Sequence, residues 1–384
     1  MQSVETFFTK YALLSLSLLV LAVLFGGCLQ ETSSEQRVTS VPAIPPTSVP
    51  VITPAPNFSL PYEASQPFPG YLSRSPQATY PEITPSSAQG IERVVISYQF
   101  PFENNTVQLS VPVNISIYHG AHLATKNITV FGPIPQSILL RDYYLSFVGD
   151  PEQDEFFSAF LGELRQYRSK WNLTEDEYLE LMSTCVQSLP YQPHSGGSKF
   201  PLETFVDRSG DCDDKALLLS GLLAREGYNI SLLYFEKERH VALAVAATAN
   251  TFHDSGYAYI ETTYPSYVGS VPDSIEDNLS LSSFPLLLRI GNGTRTYQSG
   301  QDTLRIDTVR KDAERCIRES LPGLPASRSA LYQLAIQEDL EHRYVALNGQ
   351  DAGYKEFVRQ TGIYVYIQSH SYDRKGTIVW LDNF

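Results

Sequence analysis

Cys212, His240 and Glu261 are the residues whose types and spacing suggest chemistry. Cys212 sits in DRSGDCDDKALLLSGLL, between a Gly-Asp pair and an apolar run that keeps helical spacing. Asp211 reads as the N-cap, with Asp214 three positions on, so Cys212 falls in the first helical turn. Unpaired N–H groups and the positive end of the helix dipole favour a thiolate there and lower its pKa. The flanking aspartates act the other way unless capping occupies them, so a reactive Cys212 needs a cation beside it, an imidazolium. His240 opens HVALAV and shares a sheet face with Ala242, Ala244 and Ala246, while Val241, Leu243 and Val245 face the other way. A row of alanines lets a helix approach closely, and the Cys212 helix is expected there. If HVALAV and YAYIETT pair as a hairpin centred on Asn250-Thr251, Glu261 lies directly across from His240, with Cβ atoms about 4.5–5.5 Å apart. A thiol, an imidazole base and a carboxylate that holds the imidazole tautomer are what acyl transfer through a thioester requires. The backbone N–H of Cys212 adds one oxyanion donor. Such a thiol alkylates rapidly below pH 7, in a manner that depends on His240.

GDCDDKALLLSGLLAREGYN, then ERHVALAV, then YAYIETTYP resembles the transglutaminase-like superfamily of papain-like fold, and the upstream LPYQPHSGGSKFPLETFVDRSGDC is similar to the lead-in of its prokaryotic members. The resemblance spans roughly 187–264. It implies an α+β core in which the helix bearing Cys212 packs on an antiparallel sheet. It also implies Cys212 as nucleophile, His240 as base and Glu261 as the acidic member. Glu261 departs from the pattern, since Asp is more usual and the extra methylene alters how the imidazole is held. The superfamily includes cross-linking transferases, peptidases, glycan-removing amidases and inactive members, so it narrows the chemistry more than the substrate. The expected substrate is a protein or peptide near the cell surface, with no metal or organic cofactor. The alternative is a catalytically inactive surface binding module.

Other candidates have simpler readings. Cys212, His240, Asp213 and Asp214 could supply mixed metal ligands, but no C-x-x-C or H-x-x-x-H spacing supports zinc. Cys185 lies in an apolar stripe and reads as core. Cys316, in DAERCIRESL, reads as structural, and outside the cell a bridge between the two is permitted. His194, in the loop before Cys212, reads as a solvated loop residue, with lining the cleft as the alternative. Tyr257 and Tyr259 share the face of Glu261 and read as packing, with bordering the cleft as the alternative; Thr262 and Thr263 could buttress its carboxylate.

The positioning elements follow from periodicity. After Asp150-Pro151, Phe156, Phe157, Phe160, Leu161 and Leu164 form one helical stripe. Thr174 with Glu177 makes a capping box for a second helix, whose apolar face is Tyr178, Leu181, Met182, Cys185 and Leu189. The Cys212 helix ends near Gly227. ISLLYF, HVALAV and YAYIETT read as strands, as do VVISYQF, NTVQLSVPVNISIY and NITVF upstream. The resulting division is a β-rich segment over 91–150, a core over 151–302, and a tail over 303–384 with two helical patterns and a closing hairpin, IYVYIQ and TIVWL.

Tyr11 to Phe25 is apolar apart from two serines, and GGC follows at once. The run is shorter than the roughly 20 residues that span a bilayer and fits a signal-peptide core over 1–27. Small residues before Cys28 resemble a lipoprotein processing site, with an uncleaved membrane anchor as the alternative. The Pro/Ser/Thr-rich stretch over 28–90 reads as a tether. Eight N-x-S/T triplets, at Asn57, Asn104, Asn114, Asn127, Asn172, Asn229, Asn278 and Asn292, favour an exported, outward-facing chain. The formal net charge of −14, without any Lys/Arg run, argues against a nucleic-acid partner.

Overall fold

The computed structural model describes residues 74–86, 93–273, 275 and 280–384, all within one compact unit. The signal-like run, Cys28 and residues 28–73 of the expected tether lie outside the described residues. Among the described residues no helix is long and apolar enough to cross a membrane. The first half runs β1 (Ala78–Thr79), β2 (Arg93–Phe102), β3 (Asn105–Asn114), α1 (Ile115–Leu123), β4 (Thr129–Val130), α2 (Gln136–Val148), α3 (Asp154–Trp171) and α4 (Glu175–Gln187). The centre is α5 (Pro201–Asp207), α6 (Cys212–Arg225), β5 (Asn229–Phe235), β6 (His240–Ala246), β7 (Tyr257–Ile260) and β8 (Leu286–Asn292). The tail is α7 (Gly300–Ser320), α8 (Arg328–Ile336), α9 (Asp339–Asn348), α10 (Ala352–Ser369) and α11 (Arg374–Asn383).

Mixed helix and sheet is the observed class, and a four-stranded antiparallel sheet, ordered β7-β6-β5-β8, forms its centre. The helix bearing Cys212, α6, packs on the face that carries Ile230, Leu232, Val241, Leu243 and Val245. Its apolar run is buried on all sides, with α3 and α4 on its outer surface. Gly221 permits this, because a Cβ there would fall inside the ring of Phe157 on α3. The stripe of α3, the Thr174–Glu177 capping box and the apolar face of α4 form as their spacing predicts. Gly227, with φ +80°, follows the end of α6.

Several expectations are corrected. Among the described residues, the alternation of 91–150 builds one hairpin, β2–β3, turned at Glu103-Asn104, and the short β4. ISIY is helical because Asn114 Oδ1 accepts from Ser116 N at 2.9 Å, which caps α1 and ends the strand. Residues 136–148 are a helix as well, so the segment is not β-rich. Nor does the tether run to residue 90. Ser75 N donates to Asp142 at 2.8 Å and Ile83 N to Asp150 at 2.7 Å, while β1 pairs with β4. The closing hairpin is absent: IYVYIQ lies in α10 and TIVWL in α11. Phe357, Thr361 and Tyr364 put a helical period through the first stretch and bury against α7 and α8, which overrides its β propensity. Cys185 and Cys316 are both free thiols.

Candidate functional site

Cys212 opens α6. Asp211 is the N-cap: its Oδ1 accepts from Asp214 N at 3.4 Å, and Asp214 Oδ2 accepts from Asp211 N at 3.2 Å. That reciprocal capping fixes the first turn, and with it the direction of the thiol. The backbone N–H groups of Val241, on β6, and of Asp213 lie beside the Cys212 sulfur and favour its thiolate. Val241 immediately follows His240, so the thiol meets the sheet where the histidine enters it.

The electrostatics differ from the expected activated thiolate. Burial, then the Asp213 carboxylate, push the Cys212 thiol up to about 12, and the two N–H groups do not offset them. Asp213 is itself raised to about 7, by burial and by its hydrogen bond with Asp211, although Ser198 Oγ donates to it at 2.6 Å. Cys212 is therefore a protonated thiol at neutral pH, and rapid alkylation below pH 7 is not expected of the resting site.

His240 is buried, and burial lowers its pKa, with Glu261 and then Glu238 opposing the shift. Its Nε2 lies 3.3 Å from the hydroxyl of Tyr259, which donates to Glu261 Oε2 at 3.0 Å. The single phenolic proton is committed to the carboxylate, so the oxygen accepts from Nε2–H and the lone pair of the imidazole sits on Nδ1. Glu261 is wholly buried. Its Oε1 accepts from Thr262 N at 2.9 Å, Thr263 N at 2.8 Å and Thr263 Oγ1 at 2.6 Å.

Two geometric expectations fail here. β6 and β7 pair with Leu243 opposite Ile260 and Ala244 opposite Tyr259, so Glu261 aligns with Ala242 rather than His240. The connection is longer than a tight turn, with Phe252–Asp254 coiled inside it, which displaces the centre of the hairpin. Tyr259 fills the resulting gap. The Cys212 helix also lies on the valine face and not on the alanine row. Ala242 and Ala244 are instead covered by Phe235, Phe252 and Tyr259, aromatic rings that need the space small residues leave. His240 and Glu261 are thus joined through Tyr259. The hydrogen-bond partner of the His240 ring is this tyrosine and not the thiol.

Tyr259 was legible as a residue on the face of Glu261, but its parity gave no reason to prefer a relay over packing. His194 is an exposed loop residue, as expected, but its ring is engaged. Its Nε2 lies 2.8 Å from Asp214 Oδ2 and 3.5 Å from Asp211 Oδ2. Lys199 N adds a bond to Asp214 Oδ1 at 2.6 Å, so residues 194–199 are strapped to the start of α6. Potential ligand atoms of His194, Asp211 and Asp214, and those of Asp211, Cys212 and Asp213, each lie within 4.8 Å of one another. Capping and strap bonds already engage the first set. No family model, curated protein or solved structure matches this chain.

Proposed function

We propose that the protein is an exported, membrane-anchored member of the transglutaminase-like superfamily that performs cysteine-dependent acyl transfer or amide hydrolysis on protein or peptide substrates. The observation that carries this reading is the meeting of the Cys212 sulfur with the Val241 N–H, one residue from an imidazole tied through Tyr259 to Glu261. Thiol and imidazole are both neutral at rest, so His240 acts as a general base during attack rather than as one half of a standing ion pair.

In this reading the His240 ring, which its parity puts on the alanine face, turns to the sulfur when substrate binds; as the Sγ–carbon bond forms, the thiol proton passes to its Nδ1 and the carbonyl π electrons move to oxygen. The N–H of Cys212, in a first turn where the helix supplies no acceptor, is the donor this reading assigns to that oxygen. When the tetrahedral centre collapses, the C–N bond breaks and the leaving amine takes the proton from Nδ1. A water or a second amine then attacks the thioester and gives its proton to His240, and the sulfur recovers it as the C–S bond breaks. Tyr259 and Glu261 hold the ring and stabilise the imidazolium.

A second reading, a silent cleft that holds a protein partner, is favoured by one observation: the thiol is held at about 12 and the imidazole is bonded elsewhere. Incubation with a glutamine-containing peptide and a labelled primary amine separates the two. The catalytic reading expects amine incorporation or ammonia release, abolished in Cys212→Ala and in His240→Ala. Product formed equally by Cys212→Ala, or by neither chain over a panel of peptides, supports the silent cleft.

A further inference from the structure

Lys215 stands one turn beyond Cys212 on α6 and is completely buried, beside a run of alanine and leucine that has no need of charge. Its Nζ lies 2.7 Å from Leu189 O, 3.0 Å from Thr263 O and 3.2 Å from Gln187 O. Three carbonyls use three N–H donors, and lysine has three only as an ammonium. Two of those carbonyls close the end of α4. The third belongs to the segment after β7, whose Thr263 also gives Glu261 two of its hydrogen bonds. Gln187 grips the same segment, donating to Glu261 O at 2.8 Å and to Ser266 O at 2.9 Å.

Burying an ammonium costs several kcal/mol, and a methionine would fill the volume without that cost. What methionine would not supply is positive charge. The donors to Glu261 are a phenol, two amides and a hydroxyl, none of them charged, around a carboxylate with no exposure.

We infer that Lys215 is a positioning residue of this site: bonded to Thr263 O, its ammonium supplies the counter-charge and fixes the turn that holds Glu261 against Tyr259, and so sets the His240 ring. The consequence for catalysis rests on the acyl-transfer reading; the geometry is measurable without it. Burial brings Lys215 down to about 7, with Glu261 opposing the shift. Glu261 faces it from the β7 side and carbonyl oxygens face it from the end of α4. On α6 itself, Asp211 and Cys212 lie one turn back and Asp214 is adjacent.

The test is nuclear magnetic resonance on substrate-free protein carrying labelled lysine, glutamate and histidine. In the natural chain the Glu261 carboxyl carbon and the His240 ring nitrogens should shift with the same midpoint as Lys215 Cε, near pH 7. In Lys215→Met that shared step should vanish, and the His240 resonances should move towards those of Glu261→Gln. A Glu261 signal that ignores the Lys215 titration, or keeps its position in Lys215→Met, overturns the inference. If Lys215→Met fails to fold, the titration of the natural chain decides alone. Repeating it in Cys212→Ala separates the two claims, since failure of acyl transfer leaves these resonances unchanged.

Discussion

The Cys212 sulfur is pulled in two directions. Two backbone N–H groups and a helix N-terminus favour the thiolate, while burial and Asp213 oppose it and prevail. Asp213→Asn should therefore speed iodoacetamide alkylation of Cys212 at pH 8 by about tenfold, the effect of one pKa unit; an unchanged rate would put the cause in burial alone. The same substitution bears on stability. The folded pKa of Asp213 is raised, from 3.8 to about 7, so its contribution is fully present below the unfolded value and is lost as pH rises to about 7. Asp213→Asn should melt higher than the natural chain at pH 8, and the difference should disappear below pH 4. Tyr259→Phe keeps the ring and removes the hydroxyl that links His240 to Glu261. In the amine-incorporation assay its turnover should fall about 10²-fold, the lower bound for general acid–base catalysis, with KM little changed. At this scale the sequence supplied Cys212, its capping aspartates, His240 and Glu261. The linking role of Tyr259 and the part played by Lys215 were hidden, because a tyrosine on a strand and a lysine on a helix have ordinary local reasons to be there.

Elements succeed or fail as predictions according to how local their cause is. The Thr174–Glu177 capping box, the stripe of α3 and the Gly227 terminus are written in neighbouring residues, and all form. The α6–α3 contact depends on a residue that looks like a helix weakness. Gly221→Ala would drive a methyl group into the Phe157 ring and should cost about 1–3 kcal/mol, read as a lower urea midpoint at unchanged m. Without that loss, the close approach of the two helices is not what Gly221 provides. IYVYIQ and TIVWL show the opposite case: β-branched and aromatic alternation suggested strands, but packing made them helical, the first against α7 and α8 and the second against α7. The β6–β7 register failed for a related reason. A loop's midpoint does not fix pairing when coiled residues, here Phe252–Asp254, occupy the loop.

Across the whole molecule, the chain from Arg74 to Ser86 belongs to the folded body, and Ile83 is buried there. A chain beginning at Arg74 should melt like the full one, whereas a chain beginning at Arg93 should lose about 2–4 kcal/mol, from one buried isoleucine and the bonds to Asp142 and Asp150. Equal melting of all three would return the whole of 28–90 to the tether. The tail also contributes to the core: Arg374 on α11 donates to Glu180 on α4 at 2.6 Å, and Tyr267 OH donates to His370 O at 2.9 Å. By itself the sequence determined which candidate residues are present and which local elements carry them, because capping, helical periodicity and strand alternation act over a few residues. Only the tertiary structure decided that the thiol helix lies on the valine face, that Tyr259 stands between imidazole and carboxylate, and that Lys215 balances Glu261. Those outcomes depend on burial, on how helices share a sheet face and on where a buried charge finds its counter-charge, and each is a property of residues brought together from distant parts of the chain.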